Sequence, residues 1–277
     1  MACSSAEDIL YNGATKHECD EFRVRVAKGE VPGHSTVRKY GSLKANAATG
    51  RRVVWEFGDP AIGNVTYTYP ADGSATIDTV SSSSAADTGP FVVQGLDVNG
   101  DLTTQQITLN GQSKVTLPTS LWRCFRAYSL ATTSTPVVGS GLAGQVFVYE
   151  DTAIVAGVPT DKTKVKTFVN NGNNQTLQAF YTIPSGYRGL VWWSRNAIVY
   201  KGVASALSKA WIRPYGYEFR LADEGSLHTA GTSVHQENDT LLTLAPALTD
   251  IAATADVDTN GTIVTTRFDI VLIQDGY

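Results

Sequence analysis

Apolar and polar residues alternate in short runs along most of this chain, and the runs are separated by Gly, Asn, Asp and Pro. A period of two puts successive side chains on opposite faces of a strand. In VTYTYP (65–70) it sets Val65, Tyr67 and Tyr69 on one face and the threonines on the other. FVVQGLDVNGDLTTQQITLNGQSKVTLP (91–118) holds two Asn-Gly steps, at 99–100 and 110–111, which accept the positive φ of tight hairpin turns and predict a meander. LWRCFRAYSL and GQVFVYED supply two further strands; the second is apolar on both faces, as a buried central strand requires. QTLQAFYTIP and YRGLVWWSRNAIVY flank a Pro184-Ser185-Gly186 turn. Read as one alternating strand, KAWIRPYGYEFRLAD sets Trp211, Tyr215, Tyr217, Phe219 and Leu221 on one side, with Pro214 marking an edge or a bulge. TLLTLAPAL alternates as well. Near the end, Val264, Phe268, Ile270 and Leu272 face away from Thr265, Arg267 and Asp269. The one helical signal is SSAEDIL (4–10), a turn or two capped by Ser4 or Ser5 with Glu7 in the first turn. The pattern predicts an all-β protein built from sandwich or jelly-roll-like domains.

The pattern also divides the chain. Residues 1–59 are rich in glycine and cations, and their apolar residues are too sparse for a separate core, so they are expected to form an extended N-terminal arm that gains order on a partner. Residues 60–155 are expected to form a first β-sandwich, 156–164 a linker broken by Pro159 and Asp161, and 165–277 a second β-sandwich. Arg23, Arg25, Lys28, His34, Arg38, Lys39, Arg51 and Arg52 give the arm a basic excess suited to an acidic partner; a solvated linker face has the same composition.

Composition adds bounds. The 277 residues suffice for two sandwiches; 42% are hydrophobic and 17% charged, with a formal net charge of −4. That balance offers no general surface for nucleic acid, and no apolar stretch is long enough to span a bilayer. The first residues lack the basic-then-apolar order of a secretory signal, which points to an intracellular origin. Three scattered cysteines, Cys3, Cys19 and Cys124, read as free thiols. His17 and Cys19, with Cys3 and His34, are the only start of a zinc set and lack its paired spacing, so neither metal nor cofactor is expected.

Candidate chemistry is thin. His228 and His235 stand among Asp223, Glu224, Glu237 and Asp239, the best acid–base cluster in the chain, although a mobile polar loop has the same composition. No nucleophile elbow, phosphate-cradling loop or zinc-protease helix is present. Asp97, Asn99 and Asp101 alternate like the start of a calcium loop but lack its downstream glutamate, and read as a turn. Asn170, Asn171, Asn173 and Asn174 around Gly172 favour turns and left-handed backbone, without need of a ligand. Aromatics on alternating strands are mostly core; Tyr187, Trp193 and Tyr215 are the candidates for exposed contacts. The adjacent Trp192 and Trp193 must point to opposite faces.

GEVPGHSTVRKYG (29–41), the VTYTYP strand, LDVNGDLTTQQITLNG (96–111), YTIPSGYRG (181–189) and FDIVLIQDG (268–276) together resemble tailed-bacteriophage virion structural proteins. The run RRVVWEFGDPAIGN and the first thirty residues depart from that pattern. The resemblance implies a non-enzymatic virion component, a capsid decoration or cement protein attached through its N-terminal arm, or a head- or tail-attached accessory. Its implied partners are the major capsid protein or other virion subunits and further copies of itself, with a trimer as one arrangement. It implies no membrane and no specific nucleic acid, and a place in the virion after assembly in the host cytoplasm. The alternatives are a tail, baseplate or fibre-adaptor protein, a carbohydrate-binding module that touches the host surface, and a hydrolase working through the His228–Asp239 segment.

Overall fold

The computed structural model describes residues 22–130, 141–200, 202–230, 234–236 and 240–277. A short helix, α1 (Phe22–Ala27), precedes β1 (His34–Ala45) and β2 (Arg52–Val53). Then come β3 (Ile77–Ser82), β4 (Pro90–Leu96), β5 (Leu102–Thr108), β6 (Val115–Leu121), β7 (Arg123–Ser129) and β8 (Val146–Glu150). A small hairpin, β9 (Ile154–Val155) and β10 (Val158–Pro159), leads to β11 (Val165–Val169) and β12 (Phe180–Thr182). The long strands β13 (Tyr187–Val199), β14 (Val203–Arg213) and β15 (Arg220–Ala230) follow, and β16 (Val234–Gln236), β17 (Thr240–Ala245), β18 (Asp250–Val257) and β19 (Thr262–Gln274) complete the chain. The all-β expectation holds, and among the described residues every strand pair is antiparallel.

Two sandwiches emerge, and one is inserted into the other. In the first, the sheet β11-β8-β3-β6 faces β5-β4-β7. Ile77, Val80, Phe91, Val93, Leu121 and Val146 fill the space between them. In the second, β1-β19-β13-β16, with β17 also on β13, faces β12-β18-β14-β15, and β2 and β12 share one edge of β18. Leu43, Val191, Ile198, Ile251, Val264 and Phe268 fill that core. Fully burying one such side chain contributes about 1.5–3 kcal/mol.

This topology corrects the boundaries read from sequence. Residues 34–45 and 52–53, placed in an extended arm, are strands β1 and β2 of the second sandwich. β1 pairs with the C-terminal β19 over its whole length, from His34 opposite Ile273 to Ala45 opposite Thr262. An edge strand needs apolar residues on only one face. The inward positions Val37, Gly41, Leu43 and Ala45 meet that need, although the segment reads as too polar for a core of its own. Gly41 is required there: a Cβ would lie 2.4 Å from the Val54 carbonyl oxygen. β11, placed in the second domain, belongs to the first sandwich, and the expected linker contains half of the β9–β10 hairpin. Helix α1 is also a correction. Residues 22–27 lie in the expected extended arm yet make a helix closed by Gly29 at φ 74°.

Between the sandwiches lies an aromatic seam. Trp55, Phe57, Val65 and Tyr67 from the connecting stretch meet Phe147, Tyr149 and Phe168 of the first sandwich and Phe180 of the second. Ring centroids stand 5.2 Å apart for Trp55–Tyr67, 4.9 Å for Phe57–Phe168 and 4.2 Å for Tyr67–Phe180. VTYTYP therefore keeps its alternation, with Val65 and Tyr67 buried and Thr66 and Thr68 exposed, but lies outside the sheet ladders of the described residues. Its apolar face packs on rings rather than on a paired strand.

Other expectations stand in part. β4 and β5 form the hairpin across Asn99-Gly100, but the expected meander stops there: beyond Asn110-Gly111 the chain crosses to the opposite sheet, where β6 pairs with β3 rather than with β5. β8 is buried on both faces between β11 and β3. Val264, Phe268, Ile270 and Leu272 of β19 all point into the core. One strand does not. KAWIRPYGYEFRLAD is a hairpin in which β14 ends at Arg213 and the turn 214–217 reverses the chain with Gly216 at φ 77°. The single aromatic face is thereby split. Proline cannot donate to a ladder, and here it ends the strand instead of kinking it.

Candidate functional site

Among the described residues, the most strongly built polar site joins the two sandwiches. Arg123 opens β7 of the first and is 2% exposed; Asp250 opens β18 of the second and is 1% exposed. Strand register brings Arg213 of β14 and Thr182 of β12 opposite Asp250. The Arg123 Nε donates to Asp250 Oδ1 at 3.0 Å, and Nη2 donates to Asp250 Oδ2 at 3.1 Å and to Asp72 Oδ1 at 2.9 Å. Nη1 donates to the carbonyls of Pro70 at 2.9 Å and Trp122 at 3.2 Å, so all five guanidinium protons are used. Arg213 Nε adds a bond to Asp250 Oδ2 at 2.9 Å, and its Nη2 bonds to both Asp250 and Asp72. Thr182 donates to Asp250 Oδ1 at 2.6 Å. Two cations face two carboxylates, and the Trp122 ring lies 4.1 Å from the Arg123 guanidinium. Chemically this is a closed, neutralised clamp. Its carboxylates are engaged by the two arginines, the Thr182 hydroxyl and the Gly216 N–H, which donates to Asp72 Oδ2 at 3.1 Å, and this suits holding two domains in register.

Sequence reasoning missed this clamp. The available signal was an arginine flanked by Trp122 and Cys124, and an aspartate beside the apolar run IAATA. Neither alone identifies its partner 127 residues away.

Two further ionisable groups flank the junction, Lys39 buried and Glu56 half-buried. Lys39 occupies an inward position of β1, is 6% exposed, and donates to the Phe125 carbonyl of β7. Burial, with Arg126 nearby, pulls its ammonium down to about 7. Glu56, in the seam, is pushed up to about 7 by burial, opposed by hydrogen bonds from Asn173 and Asn170. The Asn173 amide donates to Glu56 Oε1 at 2.8 Å. The asparagine cluster is thus a turn, with Gly172 at φ 87° and Asn174 at φ 55°, that also anchors neighbours: Asn174 Oδ1 accepts from the Leu142 N–H at 3.0 Å. Cys124 is buried, and its thiol is pushed up to about 12.

The basic residues assigned to the arm do not share a face. β1 alternation turns Arg38 outward, where it pairs with Asp269 at 2.8 Å, and Lys39 inward. Arg52 is buried and donates to the Gly58 carbonyl at 3.1 Å, whereas Arg51 is exposed beside the Trp211 ring. Arg25 lies 3.9 Å from Glu30, Lys28 is exposed on the residue after α1, and His34 Nδ1 contacts the Pro32 carbonyl at 2.8 Å. The single basic surface is corrected accordingly: a strand period of two cannot keep adjacent cations on one side. The side chain of Arg23 lies outside the described residues, as do Cys3, His17 and Cys19 of the zinc reading and the SSAEDIL turn. Among the described residues no cluster of His, Cys, Asp and Glu is placed to hold a metal ion, and no helix is long and apolar enough to cross a membrane.

Among the aromatic candidates, Tyr187 is a correction: it is half-buried against the second core because its strand pairs closely with β19. Tyr215 is 44% exposed in the turn after Pro214, edge-on to Trp122. Trp192 is half-buried; the side chain of Trp193 lies outside the described residues. Residues 223–230, read as part of a mobile loop, are in the regular strand β15. His228 Nδ1 contacts Ser205 Oγ across the β14–β15 ladder at 2.9 Å, and the nearby Asp258 accepts from the Ser205 N–H rather than touching His228. A relay of nucleophile, base and orienting carboxylate needs the carboxylate on the imidazole, so this trio does not form one. Glu224 pairs with Lys209; the His235 side chain, Glu237 and Asp239 lie outside the described residues. Asp97 Oδ1 accepts from the N–H groups of Asn99, at 2.8 Å, and Asp101, at 3.0 Å, as a turn does.

No family model matches the chain, and no curated protein matches it in sequence. Among solved structures, the chain is weakly similar to the infectious bursal disease virus Gx strain structure, with a TM-score of 0.25 at 10% identity over 92% of this chain and 78% of that one. For the Gt strain structure of the same virus the TM-score is 0.24 at 12% identity, covering 92% and 79%. For its VP2 subviral particle the TM-score is 0.17 at 10% identity, covering 89% and 73%. These scores fall below the level at which two chains share a fold.

Proposed function

We propose that this chain is a non-enzymatic structural component of a virus particle and, more narrowly, a capsid decoration or cement protein of a tailed phage. The observation that carries the reading is a meeting of two motifs. LDVNGDLTTQQITLNG and YTIPSGYRG, the two segments most characteristic of that resemblance, come together at the inter-sandwich junction. The Ser185 N–H donates to the Gly100 carbonyl at 2.8 Å, and Gly100, at φ 79°, sits where a Cβ would lie 2.3 Å from Leu248 Cδ2. The motifs thus serve to dock one sandwich on the other. A protein repeated over a shell needs such rigidity, because weak contacts multiply only when each copy presents the same surface.

Because residues 34–53 are part of the second sandwich, the attaching arm in this reading is the stretch ahead of β1, and the partners are capsid or other virion subunits and sister copies. Imaging of purified particles carrying a C-terminally labelled chain tests it. Label in symmetric array on the head supports decoration, label at the tail moves the protein to a tail or baseplate role, and label-free particles overturn the virion reading.

Gly100→Ala tests the docking itself. It is expected to destabilise the protein by at least about 1 kcal/mol, because alanine is strained at positive φ and its methyl meets Leu248. A fall in the urea midpoint at unchanged slope is the measurement. An unchanged midpoint would show that the motifs meet without consequence.

A further inference from the structure

A cleft of about 300 Å³ opens where the start of β1 passes the first sandwich. Phe125, Tyr181 and Leu272 contribute apolar surface; Lys39, Arg126 and the 54%-exposed Leu102 also line it. The Lys39 ammonium can donate three hydrogen bonds, and the acceptor it meets is the neutral Phe125 carbonyl. Arg126 is exposed and lies over the Tyr128 ring at 4.9 Å. The neighbouring Arg38 is already neutralised by Asp269, but among the described residues no carboxylate pairs with Lys39 or Arg126. A buried cation without a counter-charge is costly. The lowered proton affinity of Lys39 is the same cost seen from the titration side.

We propose that this cleft receives a carboxylate carried on an apolar peptide segment, and that the segment is Glu7–Leu10 of a second copy of this chain. The argument is charge and chemistry. Residues 1–21 hold Glu7, Asp8, Glu18, Asp20 and Glu21 against a single basic residue, Lys16, whereas the cleft carries the Arg126 guanidinium and, when protonated, the Lys39 ammonium, neither paired with a carboxylate among the described residues. Glu7 and Asp8 supply the carboxylates, and Ile9 and Leu10, next in sequence, match the exposed Leu102 that lines the cleft. Supply by a sister copy rests on the multi-copy reading above; the chemistry of the cleft does not.

A labelled peptide of residues 4–11, SSAEDILY, titrated into the full-length protein by fluorescence anisotropy, tests the cleft. Binding is expected to weaken at least tenfold in Arg126→Glu, an exposed position, and in Lys39→Met, which removes a buried charge. It should weaken equally for a peptide carrying Glu7→Gln and Asp8→Asn. Binding that is absent from the parent protein, or unchanged in these variants, overturns the cleft assignment. The source is tested by mixing a full-length chain bearing Asp8→Cys with one bearing Gln94→Cys, both in a Cys3→Ser, Cys19→Ser background. A disulfide-linked heterodimer supports a sister copy, and its absence overturns that part. If peptide and cross-link both hold while particles carry no label, the cleft stands and the virion reading falls. If Arg126→Glu loses the peptide yet keeps full occupancy on particles, the virion reading stands and the cleft is overturned as an assembly contact.

Discussion

Asp250→Asn is expected to cost about 3–5 kcal/mol of folding stability, the range for removing one partner of a buried ion pair. The substitution keeps the side-chain shape but leaves Arg123, at 2% exposure, and Arg213, at 17%, facing one remaining carboxylate, Asp72. The asparagine amide group would also oppose guanidinium donors where Oδ2 now accepts. Because Arg123 belongs to the first sandwich and Asp250 to the second, the effect should appear in the coupling of the two. Urea unfolding followed by tryptophan fluorescence and by far-UV circular dichroism is expected to give coincident transitions in the parent and separated ones in the variant. Arg213→Met, at the more exposed arginine, should cost less. A loss below about 1 kcal/mol for Asp250→Asn would mean that the clamp closes without holding the domains.

Stability against pH is expected to pass through a minimum near pH 7, from the half-buried Glu56 and the buried Lys39, which act in opposite senses. Glu56 is raised from 4.5 to about 7 in the folded protein by burial, with Asp59 adding to it and Asn173 and Asn170 opposing. Between those values the folded state holds a proton that the unfolded chain has released, so its contribution is full below 4.5 and is lost as pH rises to 7. Lys39 is lowered from 10.5 to about 7 by burial and by Arg126; the Cys124 thiol acts in the other direction. Here the unfolded chain holds the extra proton, so the contribution is full above 10.5 and is lost as pH falls to 7. The shifts correspond to up to about 3 kcal/mol for Glu56 and up to about 5 kcal/mol for Lys39. Glu56→Gln should flatten the acid arm of the profile and Lys39→Met the alkaline arm, each leaving the other in place. Chemical denaturation at intervals from pH 5 to 10 is the measurement. A parent profile flat across pH 7, or arms unaltered by their own substitutions, would contradict these assignments.

Local pattern sufficed wherever the physics is local. A strand buried on both faces announces itself in GQVFVYED, and β8 is such a strand. Alternation in TIVTTRFDIVLIQ marks which residues of β19 enter the core, because successive side chains must point to opposite faces. Asn99-Gly100 marks a hairpin because few residue pairs tolerate its dihedral angles. The asparagine turn was legible for the same reason, though its grip on Glu56 was not.

What the chain kept hidden depends on partners far away in sequence. Nothing near residues 34–45 reveals that their edge pairs with residues 262–273, since an edge strand gains most of its apolar contacts and all of its ladder from elsewhere. That pairing turns an expected arm into a sandwich strand and encloses the first sandwich between β2 and β12. The clamp is hidden more deeply: Arg123 and Asp250 look like solvated charges until the docking of the two sandwiches sets them 3.0 Å apart, both almost wholly buried. Sequence by itself determined most of the strands and their inward faces and the Asn99-Gly100 turn, through dihedral preference and side-chain period. Only the tertiary structure decided which strands share a sheet, which charges are buried and where the two sandwiches lock, because those outcomes depend on long-range pairing that no local window contains.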